Sequence, residues 1–494
     1  MIADTIFIDT NLPEFINDIS EEIKLFLPTV QFVTESGENA AIVSVNLSGD
    51  EVWRSIAKIT DSEGSVMSEY TFERDSVTGD EIEVKRHKKR CVKIAVFRAF
   101  IKIYPDAFVP WGSLTGIRPT KLLRELESEM GEEKAHDYMT RLFDVSEKKY
   151  ALAKEIVDVQ RPIIGSVTPS DIDVYIGIPY CKTRCLYCSF ASDIRTSKTD
   201  MSRYINALKE DIIRGAKLVS DYGYNVRTMY MGGGTPTVLT ESELFEVLEC
   251  TLKAYGTFGQ EFTVEAGRPD TITHGKLKIL RDFGVKRISI NPQTANQKTL
   301  ELIGRSHTVD ELTRAYECAK ELGFDINMDI ITCLPGEGVT ELENTLRYIE
   351  SLRPENLTVH TLALKRSSKL KQVIGDEHIA SLMPDAHLAN SLVERASEAA
   401  YAMGMHPYYM YRQKYMRGNL ENTGYALPGK ECVYNTDMME ETVSIMAHGA
   451  GSMSKRIFEG RTLRVERIPN PKDINTYVEK LDKVYEQKEK LFYK

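Results

Sequence analysis

Three cysteines of the 494-residue chain, Cys181, Cys185 and Cys188, follow one another at the spacing C-x3-C-x2-C. Thiolates are the protein ligands of iron–sulfur clusters. Three of them on one tight loop can hold three irons of a cubane and leave the fourth without a protein ligand. An open metal position is where a cofactor or substrate binds. Structural zinc is the competing reading, but it asks for four ligands, and no histidine lies within the loop to complete the set. The other five cysteines, Cys91, Cys250, Cys318, Cys333 and Cys432, are scattered singly and read as small buried hydrophobes.

Other residues of chemical interest fall at regular intervals after the cysteines. Gly232-Gly233-Gly234-Thr235-Pro236-Thr237 ends the next apolar run, and glycines let a backbone approach a ligand closely. Glu265, Gln293 and Asp329 end or interrupt the three runs after that. A polar group in an apolar strand is costly unless it is paired or liganded, so each reads either as a ligand contact or as part of a satisfied internal network.

Elements of alternating type must position these groups. DVYIGIPY, NVRTMYMGGG, EFTVEAGRP, KRISINPQ, DINMDIITCLPG and NLTVHTLAL read as strands. Helices are expected between them over 199–221, 241–255, 274–283, 296–322 and 338–352. Alternating βα units imply a parallel sheet covered by helices. Six in a row suggest an α/β fold of the open or partial (β/α)6 barrel kind, with reactive groups at the C-terminal strand ends. Residues 1–165 read as an N-terminal α+β domain of unassigned role, with AAIVSVNL as a strand, VKIAVFRAFIKIY as a helix and WGSLTGIRPTKLLREL as a loop entering a helix. The linker is placed at RPIIGSVTPSD, the barrel over 166–370, and a helical, tyrosine-rich C-terminal domain over 371–494, covering the barrel mouth.

The net charge of −10 argues against nucleic acid as a partner. The one dense basic run, Lys85-Arg86-His87-Lys88-Lys89-Arg90, reads as a solvated helix end or loop, with phosphate binding as the alternative. No apolar stretch is long enough to cross a membrane. MIADTIFIDTNLPEF has no basic segment followed by a long apolar one, so the expected location is cytoplasmic. Eight cysteines in such a chain do not read as a disulfide framework.

Cys-x3-Cys-x2-Cys after a first strand resembles the signature of the radical S-adenosylmethionine (SAM) superfamily. Tyr175-Ile-Gly-Ile-Pro-Tyr-Cys181 followed by GGGTPT resembles its HemN-like family, from about residue 171 to about 455. WGSLTGIRPTKL and YRQKYMRGNLENTGYA resemble the longer HemZ branch. The resemblance implies a [4Fe–4S] cluster on Cys181, Cys185 and Cys188, with one or two SAM molecules. It places Tyr175 near the SAM sulfonium and Tyr187 beside the adenine. Gly233, Gly234, Thr235 and Glu265 would contact the SAM methionine moiety. Gln293, Arg305, Asp329, Ile331 and Ala363 would complete the cofactor site.

The implied activity is that of an oxygen-independent coproporphyrinogen III oxidase (dehydrogenase), which turns coproporphyrinogen III into protoporphyrinogen IX in haem biosynthesis. Its deoxyadenosyl radical would take a hydrogen from the propionate β-carbon as CO2 leaves. The implied partners are a tetrapyrrole and a reduced donor such as flavodoxin or ferredoxin, with the chain working as a monomer. Arg366, Arg412, Arg417, Lys365 and Lys414 are candidates for the substrate carboxylates. Two positions depart from the oxidase pattern: Gly177 stands where a histidine is frequent, and Phe190 replaces a fourth cysteine. Cys-Ser-Phe instead resembles the haem-chaperone relatives, yet their HNxxYW motif is represented only by Tyr434-Asn435-Thr436-Asp437-Met438-Met439. The alternatives are a haem-binding or haem-trafficking protein, with His360, His406 or His448 as ligand, and a radical SAM methyltransferase or haem-degrading enzyme.

Overall fold

The computed structural model describes residues 4–35, 37, 39–190, 192–364, 368–375, 382–413, 416–458 and 464–493. The chain forms two compact units. One comprises residues 1–154 with 418–420, the other residues 155–417 with 421–494.

The first unit is mixed α and β, as its sequence suggests. Strands β1 (Thr5–Thr10), β2 (Gln31–Val33), β3 (Ala41–Ser48), β4 (Val52–Thr60) and β5 (Val66–Asp75) form one sheet in the order β2-β1-β3-β4-β5. β1 runs parallel to β2 and β3, whereas β3, β4 and β5 form an antiparallel meander. On β3 every second residue (Ala41, Val43, Val45, Leu47) is buried, the period of a strand with one covered face. The cover is the helix Glu81–Ile103, which buries Val92, Ala95, Val96, Ala99 and Phe100 and packs on β4 and β5. Asp80 caps it by accepting from the Glu83 amide at 2.8 Å. VKIAVFRAFIKIY is therefore helical, and the basic run lies inside this helix rather than at its end.

The second unit is built on one eleven-stranded sheet. Its centre is β6 (Asp171–Ile178), β9 (Asn225–Gly233), β10 (Glu261–Val264), β11 (Arg287–Ser289), β12 (Asp325–Thr332) and β13 (Asn356–Thr361), adjacent in that order and all parallel. A two-stranded ribbon, β7 (Tyr180–Cys181) with β8 (Asp193–Ile194), follows β6. Between the central strands lie helices at Met201–Asp221, Glu241–Tyr255, His274–Asp282 and Val339–Leu352. The expected helix over 296–322 is two, Gln297–Leu302 and Val309–Glu321.

The expectation of a helical C-terminal part is corrected. After the helix Ala386–Ala402, strands β14 (His406–Tyr411) and β15 (Asn422–Ala426) extend the sheet antiparallel beyond β13. Strand β16 (Ser444–His448) lies parallel beside β6, and β17 (Met453–Phe458) and β18 (Arg464–Pro469) continue from it. The tyrosine-rich run HPYYMY is a buried strand. Aromatic side chains suit a pleated surface packed on both faces, and that environment removes the alternation by which a strand is usually read. Among the described residues no helix is long and apolar enough to cross a membrane.

Candidate active site

The cysteine loop is pinned at its base, its middle and its neighbouring strand. At the base, the Asp193 amide donates to the Pro179 carbonyl and the Arg195 amide to that of Cys181, both at 2.9 Å. In the middle, the Leu186 amide donates to the Ile303 carbonyl at 2.9 Å, while Ser368 Oγ donates to the Leu186 carbonyl at 2.8 Å. Beside it, the amides of Gly234 and Thr235 donate to the carbonyls of Ile178 and Tyr180, each at 2.8 Å. This third tie accounts for the glycines. A Cβ on Gly234 would lie 2.4 Å from the Tyr180 carbonyl oxygen, and one on Gly232 would lie 2.8 Å from the Glu265 carboxylate. The close approach that these glycines permit is to protein atoms at the root of the cysteine loop.

All three thiols are half-buried. Thr235 Oγ1 and Ser192 Oγ each lie 3.6 Å from Cys181 Sγ, and Arg268 Nη1 donates to Cys185 Sγ at 3.5 Å. Burial pushes the Cys188 thiol up. The amide of Phe190 works against this, and negative charge on Cys185 and Cys181 adds to it. Three thiolates so placed call for positive charge among them, which bound iron supplies. Among the described residues no three His, Cys, Asp or Glu side chains gather round one ion-sized point. A cubane does not require it, because each thiolate bonds a different iron. The donor set therefore fits a cluster.

Arg305, 5% exposed, joins the loop to the neighbouring strand ends. It donates to the Tyr187 hydroxyl at 3.0 Å and, through its other terminal nitrogen, to the carbonyls of Gly267 and Asn291, both at 2.8 Å. Burial, with Arg305 adjacent, lowers His307 to about 3 and keeps the ring neutral. Arg268 reaches Asp270 through two nitrogens at 3.1 and 3.2 Å, and Ser306 at 2.9 Å.

The remaining candidates line the strand ends. Glu265 directly follows β10 and accepts from the Tyr230 hydroxyl at 2.8 Å. Burial, and secondarily the Asp329 charge, push its carboxyl up to about 7. Asp329, on β12, accepts from Asn291 at 2.8 Å and Asn327 at 2.7 Å and lies 3.7 Å from His360 Nε2. Burial opposes its ionisation, but the His360 and Asn327 contacts prevail and hold it below the usual carboxylate range. Tyr175 stacks on Tyr230 and Tyr434, with centroids 6.2 and 6.4 Å away. Ile331 is buried on β12, and Ala363, two residues beyond β13, bridges to Met416.

Gln293 differs from the other polar residues. Its backbone has φ +66°, in the left-handed region that non-glycine residues rarely enter. The strain is held by a bridge to Ile330, with the Gln293 amide donating to the Asp329 carbonyl at 2.9 Å and the Ile331 amide to the Gln293 carbonyl at 2.9 Å. The side chain is 7% exposed, yet Oε1 has no hydrogen-bond partner. A buried acceptor without a donor costs about 1–3 kcal/mol, and a ligand bearing N–H or O–H groups would satisfy it. Of the three interrupting polar residues, Asp329 and Glu265 are thus satisfied by protein, and Gln293 is the one with unmet capacity.

Tyr230, Arg268, Asn291, Asn327, the stacking of Tyr434 on Tyr175 and the Asp329 contact of His360 are not singled out by the sequence. Tyr230 is placed by register. Ile178 pairs with Gly233 across β6 and β9, so three residues back Tyr175 falls opposite Tyr230. The other two candidate haem-ligand histidines are engaged elsewhere. His448 Nε2 meets the Tyr255 hydroxyl at 2.7 Å, and His406 Nδ1 lies 3.0 Å from Glu155. Tyr434–Met439 lies in the helix Val433–Glu440, where Asp437 pairs with Arg227 at 2.8 Å. Arg412 is buried. Lys365, Arg366 and Lys414 fall outside the described residues, as does the side chain of Arg417.

Residues 175–349 match the Radical SAM superfamily. The chain is 40% identical over 391 residues to the oxygen-independent coproporphyrinogen-III oxidase-like protein HemZ of Bacillus subtilis (strain 168), covering 76% of each chain. It is 32% identical over 241 residues to the haem chaperone HemW of the same organism, covering 47% of this chain and 61% of that one. Among solved structures it resembles the coproporphyrinogen III oxidase HemN of Escherichia coli, described as a radical SAM enzyme. The TM-score is 0.52 at 20% identity, over 66% of this chain and 72% of that one.

Proposed function

Because the chain belongs to the radical SAM, HemN/HemZ-like coproporphyrinogen oxidase-like family, we propose that it decarboxylates coproporphyrinogen III to protoporphyrinogen IX in oxygen-independent haem biosynthesis. For each of two propionates, one hydrogen atom leaves the β-carbon, CO2 leaves the carboxylate and one electron passes to an acceptor, so that a vinyl group remains. A [4Fe–4S] cluster with SAM, when bound, supplies the reductive SAM cleavage that removes the hydrogen.

The residues of the chain have defined parts in this reading. Cys181, Cys185 and Cys188 hold the cluster, and Arg268, Thr235 and Ser192 surround the sulfurs. Arg305 fixes Tyr187 and the strand ends against the loop. Glu265 takes the positive amino group of SAM, and Gln293 offers its vacant carbonyl to the same ligand. The parallel strands β6 and β9–β13 would curve into the partial barrel of the superfamily, which keeps water from the reacting carbon. A small reduced carrier such as flavodoxin or ferredoxin would deliver the electron to a monomeric, cytoplasmic protein.

One observation carries this reading. Of the three interrupting polar side chains, Gln293 alone has a carbonyl without a protein partner, and its backbone amide donates to the carbonyl of Asp329 on the neighbouring strand. The engagement of His406 and His448 supports an enzyme over a haem carrier. The test is anaerobic turnover of the reconstituted protein with SAM, reductant and coproporphyrinogen III. Successive losses of CO2 with two hydrogens, abolished by Cys181→Ala, are expected. An unchanged tetrapyrrole beside cleaved SAM would exclude this substrate.

A further inference from the structure

One carboxylate outside the thiol loop gathers partners from the C-terminal part of the second unit. Asp211, on the helix Met201–Asp221, is 3% exposed. Its Oδ1 accepts from Lys488 Nζ at 2.5 Å and lies 3.3 Å from His448 Nδ1. Its Oδ2 accepts from the Tyr477 hydroxyl at 2.8 Å and from the Gly449 amide at 3.1 Å. Lys488 belongs to the helix Leu481–Phe492, Tyr477 to the helix Ile474–Glu479, and Gly449 directly follows β16. Lys488, His448 and Tyr477 are each 0% exposed.

Lysine is almost never buried this fully unless it is paired. Burial opposes the ionisation of Asp211, but Lys488 and His448 prevail and hold it below the usual carboxylate range. Burial lowers Lys488 as well, against the pull of Asp211. Such a pair gains little net stability over apolar side chains of similar volume, because both charges lose their hydration. Its stronger effect is on geometry. The ion pair and two further hydrogen bonds hold the carboxylate, and the groups that donate to it, in one arrangement.

The other end of this assembly is the strand that enters the thiol loop. Tyr204, about two turns before Asp211 on the same helix, donates to the Gly177 carbonyl at 2.6 Å and meets the Tyr180 ring edge-on at 5.4 Å. Gly449, held by Asp211, presses on the same point, since a Cβ there would lie 2.4 Å from the Gly177 carbonyl oxygen. Cys181 is the residue after Tyr180. We infer that Asp211 and Tyr204 are positioning residues, through which the C-terminal helices hold the end of β6 and with it the first thiol of the loop. That this thiol carries a cluster iron rests on the proposed function, whereas the contacts do not.

Hydrogen exchange of the full chain, read by mass spectrometry, tests the inference with Lys488→Met and Tyr204→Phe. The second variant keeps the ion pair and the ring packing and removes only the bond to Gly177, so it decides if the first does not fold. The reporters are peptides carrying the amides of Asp193, Arg195, Gly234 and Thr235, which donate to the carbonyls of residues 178–181. These amides should exchange about tenfold faster in the folded variants, while those of Gln293 and Ile331 stay within about twofold of the parent. Iron bound per reconstituted chain should fall in the same variants. Unchanged exchange at the loop, or equal acceleration throughout the chain, would overturn the inference, because a contribution to global stability alone gives no local pattern. Full iron content in the variants would overturn it as well. A parent chain that binds no iron would instead contradict the cluster reading, and the exchange pattern would still decide the positioning.

Discussion

The Tyr230 hydroxyl donates to Glu265 Oε1 at 2.8 Å, on a carboxyl that burial has raised to about 7. The fold thus favours the protonated acid. Its contribution to stability is complete below the ordinary carboxylate pKa and is lost as pH rises through about 7. A cationic amino group favours the opposite form. SAM binding should therefore strengthen between about pH 6 and pH 8 and release a proton on the acidic side of that range. Calorimetry in buffers of different ionisation heat measures the release. In Glu265→Gln the pH dependence should flatten and the affinity fall.

Gly234→Ala would place a methyl group 2.4 Å from the Tyr180 carbonyl oxygen, one residue before Cys181. Neighbouring backbone would have to shift. The expected cost is about 1–3 kcal/mol of stability, together with lower iron and sulfide content per reconstituted chain. Thermal melts and iron analysis read the two effects separately.

Gln293→Gly separates structure from binding. Glycine adopts φ +66° without penalty and removes an unsatisfied buried carbonyl, while some packing is lost. Stability should stay within about 1 kcal/mol of the parent. SAM affinity should fall about tenfold, the loss of one good hydrogen bond to a charged ligand. An unchanged affinity would remove Gln293 from the cofactor site.

Arg268→Gln deletes the cationic donor 3.5 Å from Cys185 Sγ. Positive charge and hydrogen bonds at cluster sulfurs stabilise the reduced state. The reduction potential of the reconstituted cluster should become more negative, as measured by redox titration followed by electron paramagnetic resonance. A potential equal to that of the parent would show that Arg268 only braces Asp270 and Ser306.

The six βα units are legible in the sequence because they are local. Each apolar run is followed by an amphipathic helix, and caps such as Thr240 with Glu243 at the helix Glu241–Tyr255 mark the starts. The thiol loop is legible because its three cysteines lie within eight consecutive residues, 181–188. Pairings between distant segments are not. Nothing in SIMAH says that β16 will lie against β6, and the buried β14 shows no alternation. At the site, the isolated polar residues stand out as anomalies. Their partners, Tyr230 for Glu265 and Asn291 for Asp329, depend on register across the sheet. The glycines suggest a ligand, whereas the tightest constraints are the Glu265 carboxylate at Gly232 and the backbone of Ile178 and Tyr180 at Gly233 and Gly234.

Loss of a hydrogen from the propionate β-carbon of coproporphyrinogen III is tested by an anaerobic single turnover with substrate deuterated at that carbon, followed by mass analysis of the nucleoside and the porphyrin. Deuterium in 5′-deoxyadenosine, together with a tetrapyrrole that has lost CO2, is the expected result. Unlabelled 5′-deoxyadenosine with an intact tetrapyrrole would contradict it.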